Sequence, residues 1–308
     1  MRTLRIGTRG SRLALVQAAE VVGALRQLFD LELERVVIRT EGDRSPDVPL
    51  VGHGTLGFFV ADIEEALLEG RIDIAVHSLK DMPTRLPEGL MIAAVTKRLD
   101  PRDMVVTQGG GLAQLGAGQV VGISSLRRTA QILHLRPDLR VSPLRGNVET
   151  RIRKMWQGSY DALILARAGL VRLGLGGLAG QILEPEAFLP APGQGAVALQ
   201  VRADDQEARQ VVEALNHPDT SREVNAERSF LAALEGGCQV PIGALARVKG
   251  GELQLSGMVA SLDGSMVLRD DCRESSGEPE DTGKRLADAL LKKGAGEILR
   301  CVREAGVS

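Results

Sequence analysis

LRIGTRGSRLALVQAAEVV, Leu4 to Val22, reads as a short strand, a glycine turn and an amphipathic helix, and VVGISSLRRTAQIL, Val120 to Leu133, repeats that plan. Each unit is followed further along by a helix, a glycine and a strand opened by Asp. The first continuation is ALLEGRIDIAVHS, Ala66 to Ser78; the second is MWQGSYDALILA, Met155 to Ala166. Strands of Ile, Val, Leu and Ala that alternate with helices form mostly parallel sheets covered by helices, so the repetition predicts two similar doubly wound α/β domains. Ligands of such sheets bind at the carboxyl ends of the strands.

The joints lie outward from these units. TKRLDPRD, Thr96 to Asp103, and LPAPGQGA, Leu189 to Ala196, are charged or Pro/Gly-rich stretches that flank the second unit, as expected where a chain crosses twice between domains. The segment VALQVRADD after the second joint is predicted to return a strand to the first domain. A capped helix in HPDTSREVNAERSF, His217 to Phe230, is followed by a different texture. ALARVKGGELQLSGMVASLDGSMVLRDD, Ala244 to Asp271, alternates apolar and polar residues with turns at KGG and LDGS, which predicts an antiparallel meander. Helices around Asp281 to Leu291 and Ala295 to Glu304 complete a small α+β domain. The expected domains are therefore 1–96 with 196–215, then 97–195, then 216–308, with a ligand cleft between the first two.

Composition sets the bounds. At 308 residues the chain exceeds one comfortable core. The start MRTLRIGTRG shows no apolar targeting region, and no stretch approaches a membrane span, so the expected address is the cytoplasm and no membrane partner is expected. Cys238, Cys272 and Cys301 form an odd, widely spaced set without a CxxC, which argues against a disulfide framework and a structural metal site. A net charge of −2 and few aromatics (Trp 1, Tyr 1, Phe 5) supply neither a global basic field nor a stacking platform for nucleic acid. Any anion site must come from charge segregated within the fold.

Three features carry chemistry. HSLKDMP, His77 to Pro83, follows the strand IDIAV at the ligand end; it crowds His77, Lys80 and Asp81 into a tight loop, where Asp81 is either an acid tuned by its neighbours or a turn cap. Arg9, Arg127, Arg128, Arg145, Arg151 and Arg172 recur near strand ends and helix starts, where backbone N–H groups also favour anions. Because Arg grips carboxylates in a bidentate fork, the inferred ligand is a polyanion, a polycarboxylate or a phosphate. The third feature is EGGCQVPIGA, Glu235 to Ala244, in which two glycines and Pro241 frame Cys238. That sulfur is either presented to a ligand or packed as a small hydrophobe.

TRGSRLALVQA, GRIDIAVHSLKDMP, DPRDMVV, GISSLRRTAQI, LRGNVETRI, LARAGLVRLG, LPAPGQGA and LEGGCQVPIGA occur here in the order found in porphobilinogen deaminases, also called hydroxymethylbilane synthases, which the chain closely resembles from about Leu4 into its final domain. The resemblance implies a monomer whose two α/β domains are themselves similar to type II periplasmic binding proteins. It implies a transferase that joins four porphobilinogen molecules head to tail with loss of ammonia, and a dipyrromethane cofactor held by a thioether to Cys238. It assigns Asp81 to catalysis; Lys80, Asp43, Ser125, Arg127, Arg128, Gln194 and Gly195 to the cofactor; and Arg9, Ser11, Arg145, Arg151 and Arg172 to substrate or the growing chain. Leu56 departs from the pattern, standing where many relatives have the lysine of a Lys-Gly pair.

Two other readings remain at this level. Two lobes joined by two crossovers also describe a solute-binding or sensor module that closes on an anion without chemistry. A cysteine hydrolase using Cys238 and His77 is the second, although no local signature supports it.

Overall fold

The computed structural model describes residues 3–39, 60–234, 240–275 and 277–305. The described residues form two compact units, one comprising those up to Leu99 together with Gly195–Ser221, the other Asp100–Gln194 and those from Arg222 onward. The breaks after Leu99 and after Gln194 fall inside 96–103 and 189–196, while the third, after Ser221, falls inside the helix Pro218–Ala233.

In the first unit β1 (Leu4–Arg9) runs into α1 (Arg12–Leu28), which Ser11 caps by accepting a hydrogen bond from Ala14 N at 3.3 Å. β2 (Leu33–Ile38), α2 (Ala61–Leu68), β3 (Ile74–Ser78) and β4 (Leu90–Val95) follow, and a short 3₁₀ turn, Leu79–Asp81, extends β3. The second unit repeats the arrangement with β5 (Asp103–Thr107), β6 (Val120–Ile123), α3 (Leu126–Leu135), β7 (Arg140–Pro143), α4 (Val148–Trp156), β8 (Ala162–Ala166), α5 (Arg167–Arg172) and β9 (Gly180–Ile182). β10 (Val197–Arg202) then returns to the first sheet, as VALQVRADD predicted. The strand orders are β2-β1-β3-β10-β4 and β7-β6-β8-β5-β9, two versions of one plan.

The expectation of mostly parallel sheets needs a correction. β1 pairs parallel with β2 and β3, and β6 with β7 and β8, but β10 runs antiparallel to β3 and β4, and β5 antiparallel to β8 and β9. The strand-helix-strand units build the parallel half of each sheet by crossover. β10 and β5 each enter from a joint at the carboxyl end of that half, and so run back through the sheet the other way. Helices cover both faces: α1 packs on Ile74, Val76, Leu199 and Val201, while α2 closes the opposite face over Ala75.

After α6 (Gln206–Glu213) and α7 (Pro218–Ala233) comes the predicted meander, β11 (Ile242–Lys249), β12 (Glu252–Ala260) and β13 (Val267–Glu274), backed by α8 (Pro279–Lys292) and α9 (Ala295–Glu304). Within the second unit this sheet is bound tightly to its neighbour. Ala130 and Leu189 pack with Leu245, Met258 and Ala260, and the Arg269 guanidinium donates to the carbonyls of Pro185 and Glu186 at 2.9 and 2.5 Å. The buried Glu227 carboxylate of α7 accepts from Gly193 N and Ala246 N, both at 2.7 Å, tying the joint to the meander.

Candidate active site

In the first unit the carboxyl ends of β1 and β3 open on a pocket lined by Arg9, Ser11, Gln17, His77, Ser78 and Asp81, among others. Here Arg9, Ser11 and Asp81 come together as the sequence predicted. Arg9 is the last residue of β1, Ser11 caps the helix that follows, and Asp81 stands exposed at the end of the 3₁₀ turn with Lys80 before it. Gln17 reaches from α1 to Ser78 Oγ at 2.9 Å, which fixes the exit of β3. His77 is buried, and burial, aided by the Arg9 charge against the opposing hydrogen bond from Gln200, pushes its pKa down to about 4. Its Nε2 lies 3.1 Å from Gln200 Oε1. The ring is therefore neutral at physiological pH and already engaged within the sheet, which leaves it poorly placed as the base of a cysteine hydrolase.

In the second unit Arg127 and Arg128, on the first turn of α3, are 3% and 6% exposed, so what they touch decides what they do. Both meet Asp103, the first residue of β5 and fully buried. Arg127 Nη1 forms an ion pair with Oδ2 at 2.8 Å; Arg128 Nη2 and Nε donate to Oδ1 at 2.6 and 3.2 Å, and Gln194 Nε2 donates to the same oxygen at 3.0 Å. Burial alone would raise the Asp103 pKa, but the charges of Arg127 and Arg128, with their hydrogen bonds, hold it well below the usual carboxylate range. Arg127 also donates to Leu189 O at 2.6 Å and Arg128 to Ile164 O at 3.1 Å. Sequence reading missed Asp103. Its signal was present: an Asp opening an apolar strand in DPRDMVV is a carboxylate carried into a sheet, and such a group needs cationic partners.

Of the other candidate arginines of this unit, Arg145 and Arg151 lie at the carboxyl end of its parallel strands. Arg151, on α4, donates to Gly146 O at 2.7 Å and Ser124 Oγ at 3.0 Å, linking the loops after β7 and β6. Half-buried Arg145 lies in the first of these loops, and Arg172 closes α5. Ser125 is the residue before α3 and makes no side-chain cap to it. Gly195 has a backbone reason to be glycine: its φ is +94°, and a Cβ there would lie 2.5 Å from Leu99 O. Asp43 and Cys238, like His53 and Leu56, lie outside the described residues.

A dipyrromethane carries acetate and propionate groups, and the second unit has what such a ligand requires. Among the described residues two guanidiniums face one carboxylate, leaving positive charge in excess, and the buried Nε of Arg127 has no hydrogen-bond partner. The residues present fit the group. Among the described residues no set of three or more His, Cys, Asp or Glu side chains is placed to hold a metal ion, and no helix is long and apolar enough to cross a membrane.

Comparison with known proteins agrees. Residues 4–210 match the family model described as porphobilinogen deaminase, dipyromethane cofactor binding domain, and residues 221–292 match the model of the porphobilinogen deaminase C-terminal domain. Proteins named porphobilinogen deaminase are 50% identical in Syntrophobacter fumaroxidans, over 99% of this chain and 99% of that one, and 49% identical in Geobacter metallireducens, over 100% and 97%. Among solved structures, the chain is similar to lipoprotein Tp32 from Treponema pallidum (TM-score 0.44, 14% identity, 69% of this chain and 90% of that one) and to a Salmonella typhimurium periplasmic binding protein (TM-score 0.40, 11% identity, 72% and 94%). At these scores the likeness adds nothing to the strand orders above. With its α/β units and its meander both matched, and half of its residues shared with relatives along nearly the whole length, this chain belongs to the porphobilinogen deaminase family.

Proposed function

We propose that the chain joins four porphobilinogen molecules head to tail, releasing ammonia at each step, to make linear hydroxymethylbilane for tetrapyrrole biosynthesis. The observation that carries this beyond family membership is the buried Arg127 and Arg128 pair sharing one carboxylate, a surplus of planar cationic donors suited to a polycarboxylate. A solute-binding module would need no Asp on a turn after β3 and no meander following the EGGC stretch of the sequence.

In each condensation the aminomethyl C–N bond of porphobilinogen breaks and the amine leaves as ammonia. A C–C bond forms between the freed methylene and the α-carbon of the chain end, and that α-carbon loses its proton. The leaving amine is the protonated ammonium, so its loss as ammonia needs no further proton, and Asp81 is assigned the rest: its carboxylate stabilises the cation left behind and accepts the proton from the α-carbon. Neutral His77 adds no second positive charge beside that cation.

A dipyrromethane on Cys238 supplies the first nucleophilic α-carbon. Arg127, Arg128, Ser125, Lys80, Asp43, Gln194 and Gly195 are assigned to holding it, Gly195 through its backbone. Arg9, Ser11, Arg145, Arg151 and Arg172 are assigned to the carboxylates of substrate and of the lengthening chain. Each charge-assisted hydrogen bond is worth about 1.5–3 kcal/mol when sheltered from water. The three-domain division at 96, 195 and 215 and a cytoplasmic monomer belong to the same reading.

The mass of the intact protein tests it. The denatured chain should weigh more than its sequence by two linked pyrroles and rise in one-pyrrole steps with limiting porphobilinogen. Cys238→Ala should abolish the adduct, whereas Cys272→Ala and Cys301→Ala should keep it. An active preparation with unmodified mass would overturn the reading.

A further inference from the structure

Gln200 lies in the middle of β10, wholly buried, and its side chain touches two others that the proposed reaction does not use. β10 pairs antiparallel with β3 so that Gln200 stands opposite Ala75 and Ala198 opposite His77. Alternate residues share a face of a sheet, so Gln200 and His77 are diagonal neighbours on the face that α2 covers. From that helix comes Glu64, 7% exposed, its Oε1 2.8 Å from Gln200 Nε2. On the other side Gln200 Oε1 is 3.1 Å from His77 Nε2. A buried chain thus runs Glu64, Gln200, His77, and ends at the pocket lined by Arg9, Ser78 and Asp81.

Donor and acceptor chemistry orders this chain. Burial raises the Glu64 pKa and the hydrogen bond from Gln200 opposes that rise; as a carboxylate Glu64 only accepts, so the amide nitrogen of Gln200 turns toward Glu64 and the amide oxygen toward His77. That oxygen also only accepts, so Nε2 of His77 must carry the hydrogen. Burial keeps the ring neutral, which leaves Nδ1 without one. We infer that Glu64, acting through Gln200, is a positioning residue that holds His77 as the Nε2–H tautomer, leaving Nδ1 as the acceptor of a ring whose residue lines the pocket together with Asp81. The inference rests on the reading of Asp81 as the acid-base group, because it gives the device its use. Porphobilinogen brings donors, a pyrrole N–H and an ammonium, and a neutral acceptor helps to orient them where an Nδ1–H would oppose them. Among the described residues, the charged groups that line this pocket or join this chain are Arg9 from β1, Asp81 from the turn after β3 and Glu64 from α2, and β10 offers the amide of Gln200.

The test is a long-range proton–nitrogen NMR correlation on the full chain carrying its cofactor and labelled with ¹⁵N-histidine, with His77 assigned from His77→Asn. The wild type should show Nε2–H alone at His77 at neutral pH. Glu64→Gln can present either end of its amide to Gln200, so it should mix the tautomers. It should also lower kcat/KM by roughly tenfold while the intact mass still shows the adduct. Gln200→Met removes the link at similar volume and should have the same effect. An Nδ1–H signal in the wild type overturns the inference, as does Glu64→Gln with an unaltered tautomer and unaltered kcat/KM. The wild-type tautomer is read without substrate, and so decides the matter even where the variants fail to fold. An adduct-free but active enzyme would instead sink the proposed function while leaving the tautomer result intact.

Discussion

Asp103→Asn probes the most heavily engaged side chain of the second unit. The wild-type carboxylate takes hydrogen bonds or ion pairs from Arg127, Arg128 and Gln194 at 2.6 to 3.2 Å with no exposure to water. Asn keeps the shape but removes the charge and turns an N–H₂ toward guanidiniums that only donate. In the cofactor-free Cys238→Ala background, where no ligand carboxylate stands in, two buried cations are then left without a counter-ion, a loss of about 3–5 kcal/mol. With a urea m-value near 3 kcal/mol/M, that is a fall of roughly 1–2 M in the midpoint for this unit. Trp156, the single tryptophan, ends α4 of the same unit, and its fluorescence isolates that transition from the first unit's. The effect has a predicted pH dependence. Because the folded pKa of Asp103 is depressed, its contribution is complete above the unfolded value of about 3.9 and is lost as pH falls toward the folded one. The gap between that background and Asp103→Asn within it should therefore be full at neutral pH and narrow in acid. A loss below about 1 kcal/mol at pH 7, or a gap that widens in acid, would refute the reasoning.

Three further outcomes are expected. Asp81→Asn, an exposed position, should keep the fold and the cofactor mass yet reduce turnover by about 10²–10⁴, measured by product formation; near-normal turnover removes the assignment. Arg128→Leu should yield largely cofactor-free protein of lower heat resistance, because it strips both the ligand's partner and one partner of Asp103; Arg9→Leu and Arg172→Leu should keep the cofactor and stall at intermediate chain masses. If all three load fully and elongate normally, the division of labour among the arginines is wrong. Gly195→Ala should lower the thermal midpoint, since it sets a side chain at φ +94° against Leu99 O; a loss of about 1–3 kcal/mol is expected, and an unchanged midpoint would contradict the backbone account.

The places of several candidate residues were legible in the sequence. The repeated strand-turn-helix units announced where ligand-facing ends lie, so Arg9 at the end of β1, Asp81 after β3 and Arg127 with Arg128 at the start of α3 could be singled out from position alone. Ser11 proved to be a helix cap as well as a candidate contact, and Gly195 owes its identity to Leu99 O. Sequence pattern does not separate these roles, because a cap, a tight turn and a ligand contact draw on the same small or polar residue types.

Local periodicity and turn chemistry act over a few residues, and the sequence by itself therefore determined the elements, the two joints, the return of β10 and the antiparallel meander. What it left open are relations between distant positions. The joints imposed antiparallel strands on each parallel half-sheet; Asp103 met Arg128 across 25 residues; Glu64 met Gln200 across 136 residues. None of these pairings has a local signature. A buried charge or amide chooses its partner from whatever the packing brings within hydrogen-bond reach, and only the tertiary structure, by closing the sheets and laying the helices on them, decides what that is.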